Sequence, residues 1–336
     1  MDTKLLKHLG NIDQIAGIRE STLLRGRGEH IHVAEVYNAA GLRFTVVPDR
    51  GMDLFDCSYK GINLSFQSKN GLTSPQSFSP LAGEFCDQWS GGMLVTCGLD
   101  NVGGQCESDG TCPVHGRFSY IPAKTFGTET KWEEEDYILR LSGQVDQTRL
   151  YGRYLSLCRT VETGLNSKCI KIRDKLTNFD AADAPYMLLY HMNFGYPLVQ
   201  EDTCMQISGT KIESLTGCFG DPNRMEAPQD GATEELYLHT GFGLQGVGVI
   251  YNEKLEMGAY VAFNTENLPN MLQWKLRQSH NYVAALEPCN TCGLNRREAT
   301  QAGKIAILPA YEAIENTLEL GVLDGLSEIR QFIKNI

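Results

Sequence analysis

The amino-acid sequence predicts an all-β fold, an antiparallel sandwich or barrel. Three observations carry that prediction. Apolar and polar residues alternate with a period of two through several stretches, as in strands with one buried face. Asn, Asp and Gly clusters punctuate those stretches, as at Asn178-Phe179-Asp180 and Asp230-Gly231. Helical periodicity is confined to a few short segments, and many strands with few helices indicate packed antiparallel sheets.

From the N-terminus, Thr3 caps a short predicted helix over residues 3–9, with Leu5, Leu6 and Leu9 on one face and Gly10 past its end. Leu42, Phe44 and Val46 then alternate with Arg43, Thr45 and Val47 in a clear strand. A Ser/Pro-rich loop covers residues 74–80, with a short helix expected behind it at 81–89. Residues 137–141 read as a strand. Ile170, Ile172 and Leu176 alternate with Lys171, Arg173 and Lys175, which puts Asp174 on the apolar side. Residues 282–286 and 317–323 read as strands too. Leu326, Ile329, Phe332 and Ile333 share one face of a final amphipathic helix. No repeat, linker or composition break divides the chain. It is therefore read as a single domain over 1–336: a helical segment at 1–24, a β-body at 25–323 and a C-terminal helix at 324–336.

A chain of 336 residues with 42% apolar residues can bury a full core. Its net charge of −11 and the lack of a basic stripe argue against nucleic-acid and anionic-membrane partners. A neutral or weakly charged small molecule fits better. The first nine residues lack the apolar core of a signal peptide, and no stretch is long enough to span a bilayer, so a cytoplasmic protein is expected. Eleven irregularly spaced cysteines do not form a secreted disulfide framework; most are expected to be reduced and buried.

Three segments present a residue that can move a proton: Pro113-Val114-His115-Gly116-Arg117, Tyr190-His191-Met192-Asn193-Phe194-Gly195 and Leu286-Glu287-Pro288-Cys289-Asn290. Two imidazoles and a carboxylate can supply a general acid, a general base and a further hydrogen-bonding group. His191 follows the apolar run Tyr186 to Leu189 and Tyr190, so it emerges at the end of a buried strand. Asn193, two residues on, faces the same side. Glu287 closes the run Tyr282 to Leu286, and Pro288 is expected to stop that strand. Further motifs are Val47-Pro48-Asp49-Arg50-Gly51-Met52-Asp53, the Gly91 to Gly103 stretch, and Gln273-Trp274-Lys275.

In this order, these segments resemble the aldose 1-epimerase (galactose mutarotase-like) family, and within it the subgroup known as DUF4432. The resemblance runs from about Arg25 to Leu323. It implies a large antiparallel β-supersandwich with the sugar site in a cleft on one curved sheet. It also implies a cofactor-independent, metal-free isomerase that interconverts the α and β anomers of a free sugar. Mutarotation needs a base at the anomeric hydroxyl and an acid at the ring oxygen. The resemblance gives Glu287 as base, His191 as acid and His115 as second imidazole or hydroxyl ligand. Arg117 is then a donor to sugar or to Glu287, and Arg50 a donor or a turn residue. Asn193, Asp100 and Asn101 bind hydroxyls or build structure. Trp274 is a platform for the sugar ring or core, and Lys275 a partner for a substrate carboxylate or sulfonate, or solvated. The partner is a small-molecule sugar, and a homodimer is compatible with this.

Two other classes stay open: a binding module that uses the same cleft without chemistry, and a different sugar isomerase or lyase on the same scaffold. A zinc set made of Cys106, Cys112 and His115 with Cys289 and Cys292 is a weak competitor, because a lone Cys-x2-Cys has little specificity. Gly26-Arg27-Gly28 and Gly103-Gly104 lack the Lys-Ser/Thr of a phosphate loop, so nucleotide binding is discarded.

Overall fold

The computed structural model describes residues 7–108, 110–217 and 220–336. A five-stranded N-terminal sheet runs in chain order through Gly17–Thr22, His32–Tyr37, Leu42–Val47, Asp53–Tyr59 and Ile62–Asn63. An eight-stranded sheet has the spatial order Cys204–Ile207, Gln245–Asn252, Met257–Asn264, Ala313–Asp324, Cys169–Asn178, Tyr154–Gly164, Asp136–Thr148 and Thr125–Glu133. A seven-stranded sheet has the order Lys211–Ser214, Glu235–Thr240, Asn270–Gln278, Asn281–Cys289, Ala184–Phe194 and Ala306–Leu308, and Val95–Leu99 also pairs with Ala184–Phe194. The pairings within these sheets are antiparallel.

The three sheets share one apolar core. Phe44 and Val46 come from the first, Leu139, Leu157, Ile172 and Leu320 from the second, and Leu188, Met192 and Leu286 from the third. Gly248 sits where any side chain would press on Met271 and Leu286 of the facing sheet, so only its small size lets the layers close. The period-two reading of Cys169–Asn178 is observed: Ile170, Ile172, Asp174 and Leu176 point inward, while Lys171, Arg173 and Lys175 point out.

Asp174 is thereby carried into the core, where it meets Arg159. The guanidinium donates through Nε to Oδ1 at 2.9 Å and through Nη2 to Oδ2 at 2.7 Å. The Tyr190 hydroxyl donates to the same Oδ2 at 2.8 Å, and Arg159 Nη1 donates to Thr96 Oγ1 at 2.9 Å. This fork ties the eight-stranded sheet to Tyr190 and Thr96, directly behind His191.

Several expectations need correction. The predicted helix at 3–9 lies mostly outside the described residues; Lys7 and His8 form a turn. The short helix at 81–89 is present as Ala82–Gln88, and the final one as Leu326–Ile333. The strand carrying His191 does not end there but continues to Phe194. Nor does Pro288 stop its strand, which runs to Cys289 with Pro288 opposite Met271. On the other side, the pairing with Ala184–Phe194 skips Glu287 and Pro288. Proline has no N–H to donate there, so it is tolerated where a ladder bond is missing. Of the ten described cysteines, five are buried, fewer than the sequence suggested. Among the described residues no helix is long and apolar enough to cross a membrane.

Candidate active site

Strand register brings His191 and Glu287 together. Leu189 lies opposite Cys289 and Met192 opposite Leu286, which sets His191 opposite Glu287 on neighbouring strands. Both side chains point away from the main core, on the face shared by Leu189, Leu272 and Cys289. His191 Nε2 lies 3.2 Å from Glu287 Oε1, and the two side chains are only 6% and 3% exposed. Asn193 is fully buried on the same face, and its amide donates to Gly92 O at 2.9 Å and to His191 O at 3.0 Å.

An aromatic enclosure surrounds the pair. Trp274, opposite Ala285 on the next strand, has its ring 5.5 Å from that of His191 and almost perpendicular to it. Its Nε1 donates to Glu234 Oε2 at 3.1 Å. Trp89 stands 5.7 Å from His191 and 6.0 Å from Trp274. Phe85 lies one helical turn before Trp89 and reaches both Trp89 and His115. Sequence reasoning missed Phe85 and Trp89. Their i, i+4 spacing on the predicted short helix was the available signal. That helix is pinned at its C-terminal end, where orphan carbonyls need donors. Asn70 donates to Cys86 O and Trp89 O, Thr73 donates to Gln88 O, and Arg27 donates to Asp87 O.

His115 completes the cluster, with its ring 5.6 Å from that of His191. Its backbone is left-handed, at φ 57°, and is held by Gly98 N donating to His115 O and by His115 N donating to Gly103 O. At Gly116, φ is 77°, and a side chain would run into the Gly98 and Asn101 carbonyls. Glycine is the residue that fits there. Asn101 clamps the loop by donating to Gly104 O at 2.9 Å and Pro113 O at 2.8 Å.

Burial sets the charge states. It pushes the Glu287 carboxyl well above its usual range, and nearby Glu234 adds to the effect. Burial holds the His191 imidazole well below its usual value, His115 adds to this, and the Asn193 side chain opposes it. Burial lowers His115 to about 4. Between that value and the ordinary 6.5, the unfolded imidazole binds a proton that the folded one does not. His115 therefore makes stability rise with pH through this window and fall as pH drops toward 4. Its replacement by Gln should lower the slope of the urea midpoint against pH there, while His191, held low in the same way, and Glu287, held high, go on contributing. An unchanged slope would contradict the assignment.

Other predicted site residues lie elsewhere. Lys275 is one residue from Trp274 and so faces the opposite side of the sheet. It is buried there, donating to Asp221 O at 2.7 Å and pairing with Glu235 at 3.3 Å. Arg50 is a buried turn residue, donating to Thr73 and Ser119 and stacked over Tyr120. Asp100 is fully buried and accepts from the Arg117 backbone and guanidinium. Arg117 thus goes to Asp100 and to Thr111 O rather than to Glu287. The thiols are dispersed as well. Cys106 faces Cys112 across a hairpin, and Cys289 lies in an apolar cluster with Leu189. Among the described residues no three His, Cys, Asp or Glu groups gather as a metal set.

No curated protein matches the chain. Among solved structures, it is similar to a candidate aldose 1-epimerase from Klebsiella pneumoniae subsp. pneumoniae MGH 78578. The TM-score is 0.88 at 20% identity, covering 95% of this chain and 86% of that one. A galactose 1-epimerase from Lactobacillus acidophilus NCFM follows at TM-score 0.60 and 14% identity, over 92% and 99% of the two chains. A galactose mutarotase-like protein from Clostridium acetobutylicum has TM-score 0.62 and 13% identity, over 93% and 99%. At such identities the likeness is one of fold, and it fixes the architecture as the galactose mutarotase-like β-supersandwich. The family model for a domain of unknown function, DUF4432, matches residues 28–322, and the chain belongs to that family.

Proposed function

We propose that this chain is a carbohydrate-active isomerase, an aldose 1-epimerase that interconverts the α and β anomers of a free sugar without a cofactor. The observation that carries the reading is the pair His191 and Glu287. These are two proton-transfer groups, 3.2 Å apart and nearly sealed from water, in an aromatic enclosure. The anomeric hydroxyl oxygen and the ring oxygen are bonded to one carbon. An acid and a base one hydrogen-bond length apart can address both from the same side. One takes the hydroxyl proton while the other delivers a proton to the ring oxygen. C1 then turns in the open-chain aldehyde and the ring recloses. Each transfer is typically worth about 10²–10⁴-fold. The names of the Klebsiella and Lactobacillus proteins support the same chemistry.

The aromatic rings suit the apolar face of a pyranose. Trp89→Ala should raise KM by about 2- to 10-fold, the equivalent of about 0.5–1.5 kcal/mol, with kcat little changed. An unchanged KM would take Trp89 out of the sugar site. The reading as a whole is tested by polarimetry on freshly dissolved α-anomers of neutral aldoses, uronates, and sulfonated and phosphorylated hexoses. Accelerated mutarotation of at least one is expected. No acceleration with any of them, at protein concentrations that bind sugar, favours a pure binding module.

A further inference from the structure

We infer that Cys106 and Cys112 are a redox-active dithiol, which a peroxide closes to a disulfide that staples the loop carrying His115. The inference stands apart from the epimerase reading. It concerns thiols outside the His191 and Glu287 pair, and it is tested without sugar.

The argument starts from strand register. Cys106–Ser108 and Gly110–Cys112 pair antiparallel, with Cys106 directly opposite Cys112. Directly opposed residues in such a pair have Cα atoms about 4.5 or 5.5 Å apart, and their side chains leave the same face. A disulfide needs Cα atoms about 4.4–6.8 Å apart. The register meets that requirement without moving the backbone. Burial agrees: both cysteines are buried, while Glu107, Ser108 and Gly110 are exposed. Burial pushes the Cys112 thiol up to about 11, and the Cys106 thiol beside it adds to the shift. Cys97 and Cys289, by contrast, lie on either side of Leu189, with a whole strand between them. That is about 10 Å, too far to join.

The dithiol sits at the foot of the His115 loop. Gly103 lies three residues before Cys106, and His115 three residues after Cys112. His115 N donates to Gly103 O at 2.9 Å, and Gly103 N donates to His115 Nδ1 at 3.4 Å. Asn101 clasps the same two stems through Gly104 O and Pro113 O. A bond between Cys106 and Cys112 ties these stems covalently where hydrogen bonds already hold them. It also displaces little, because a thiol is a weak donor. Cys106 Sγ donates to Asn101 Oδ1 at 3.7 Å, and that oxygen keeps the Arg296 backbone N–H at 2.8 Å. Cys112 Sγ donates to Gly110 O at 3.7 Å. The disulfide therefore locks the loop as it stands and leaves His115 in place.

The redox balance is complete with a peroxide as oxidant. Cys106 is the more exposed thiol, at 9% against 2%, and meets the peroxide first. Its thiolate attacks one oxygen, the O–O bond breaks, and a sulfenic acid and hydroxide form. The Cys112 thiolate then attacks the Cys106 sulfur and expels the second oxygen as hydroxide. The two protons given up by the thiols turn both hydroxides into water. The dithiol loses two electrons and the peroxide gains them. The raised Cys112 thiol keeps little thiolate at neutral pH, so the second step is slow and needs sustained oxidant. A dithiol reductant reverses it by exchange.

The test uses the full wild-type chain, treated with hydrogen peroxide, alkylated, and mapped by fragmentation mass spectrometry. Exposed Cys86 and Cys158 are the control that the oxidant has acted. A link between Cys106 and Cys112 that dithiothreitol removes is expected. Amide hydrogen exchange over residues 113–117 should then be slower by about 10-fold or more in the oxidised protein. The dithiol is overturned if Cys86 and Cys158 are oxidised and no such link forms. A sulfinic acid on Cys106 beside a free Cys112, or a link from either to another cysteine, overturns it too. Equal or faster exchange in the linked protein overturns the staple. Cys106→Ser should abolish both the link and the slowing, and slowing that persists in it also counts against the staple. Should that variant fail to fold, reversal of the slowing by dithiothreitol in wild type decides.

Discussion

Glu287→Gln is expected to lower kcat by about 10²–10⁴-fold while KM stays nearly unchanged. Glutamine keeps the volume of the side chain and can still form hydrogen bonds, but its amide neither takes up nor gives up a proton. The lost interaction is made mainly in the transition state, so the loss falls on kcat. His191→Asn should cost a similar factor. The double variant should lose less than the product of the two, because groups that move protons in one step act as a unit. Steady-state kinetics on the three variants check this. Full multiplicativity, or a loss confined to KM, would mean that His191 and Glu287 do not share a step.

Arg159→Ala carries the largest expected stability loss, about 3–5 kcal/mol, because it leaves Asp174 as an unpaired charge in the core. Both side chains are fully enclosed, and the fork also holds Tyr190 and Thr96 in place behind His191. Against a typical stability of about 5–15 kcal/mol, this is a large fraction. Replacing the pair together, as Arg159→Met with Asp174→Leu, should be milder than Arg159→Ala, since the Asp174 charge goes with its partner, and what remains is the loss of a cation 3.6 Å from buried Asp53. Urea unfolding measures both. A cost below about 1 kcal/mol for Arg159→Ala would show that Asp174 finds relief elsewhere.

The strands were legible because their alternation is a local property. Cys169–Asn178 reads correctly down to the inward Asp174, since one buried face dictates every second residue. The site was legible as three proton-bearing segments but not as a geometry. That His191 stands opposite Glu287 depends on the register between two strands far apart in sequence, and no local pattern encodes it. Trp274 and Lys275 show the limit clearly. Adjacent strand residues cannot both face one cleft, yet the sequence does not say which face is lined. Trp89 was missed because its place depends on long-range anchors from Asn70, Thr73 and Arg27. Arg50, an open choice between sugar donor and turn residue, is drawn off by Thr73 and Ser119, which are again distant in sequence. A tertiary partner decided each of these cases.

Exchange NMR at anomeric equilibrium, run on wild type and Glu287→Gln with calorimetric affinities for the same sugar, tests the central claim most directly. It separates turnover from binding without needing a pure anomer. The proposed function predicts that wild type speeds exchange between the α and β signals, while the variant binds the sugar with similar affinity and leaves the exchange at its spontaneous rate. A wild-type protein that binds the sugar and does not change the exchange rate would contradict it.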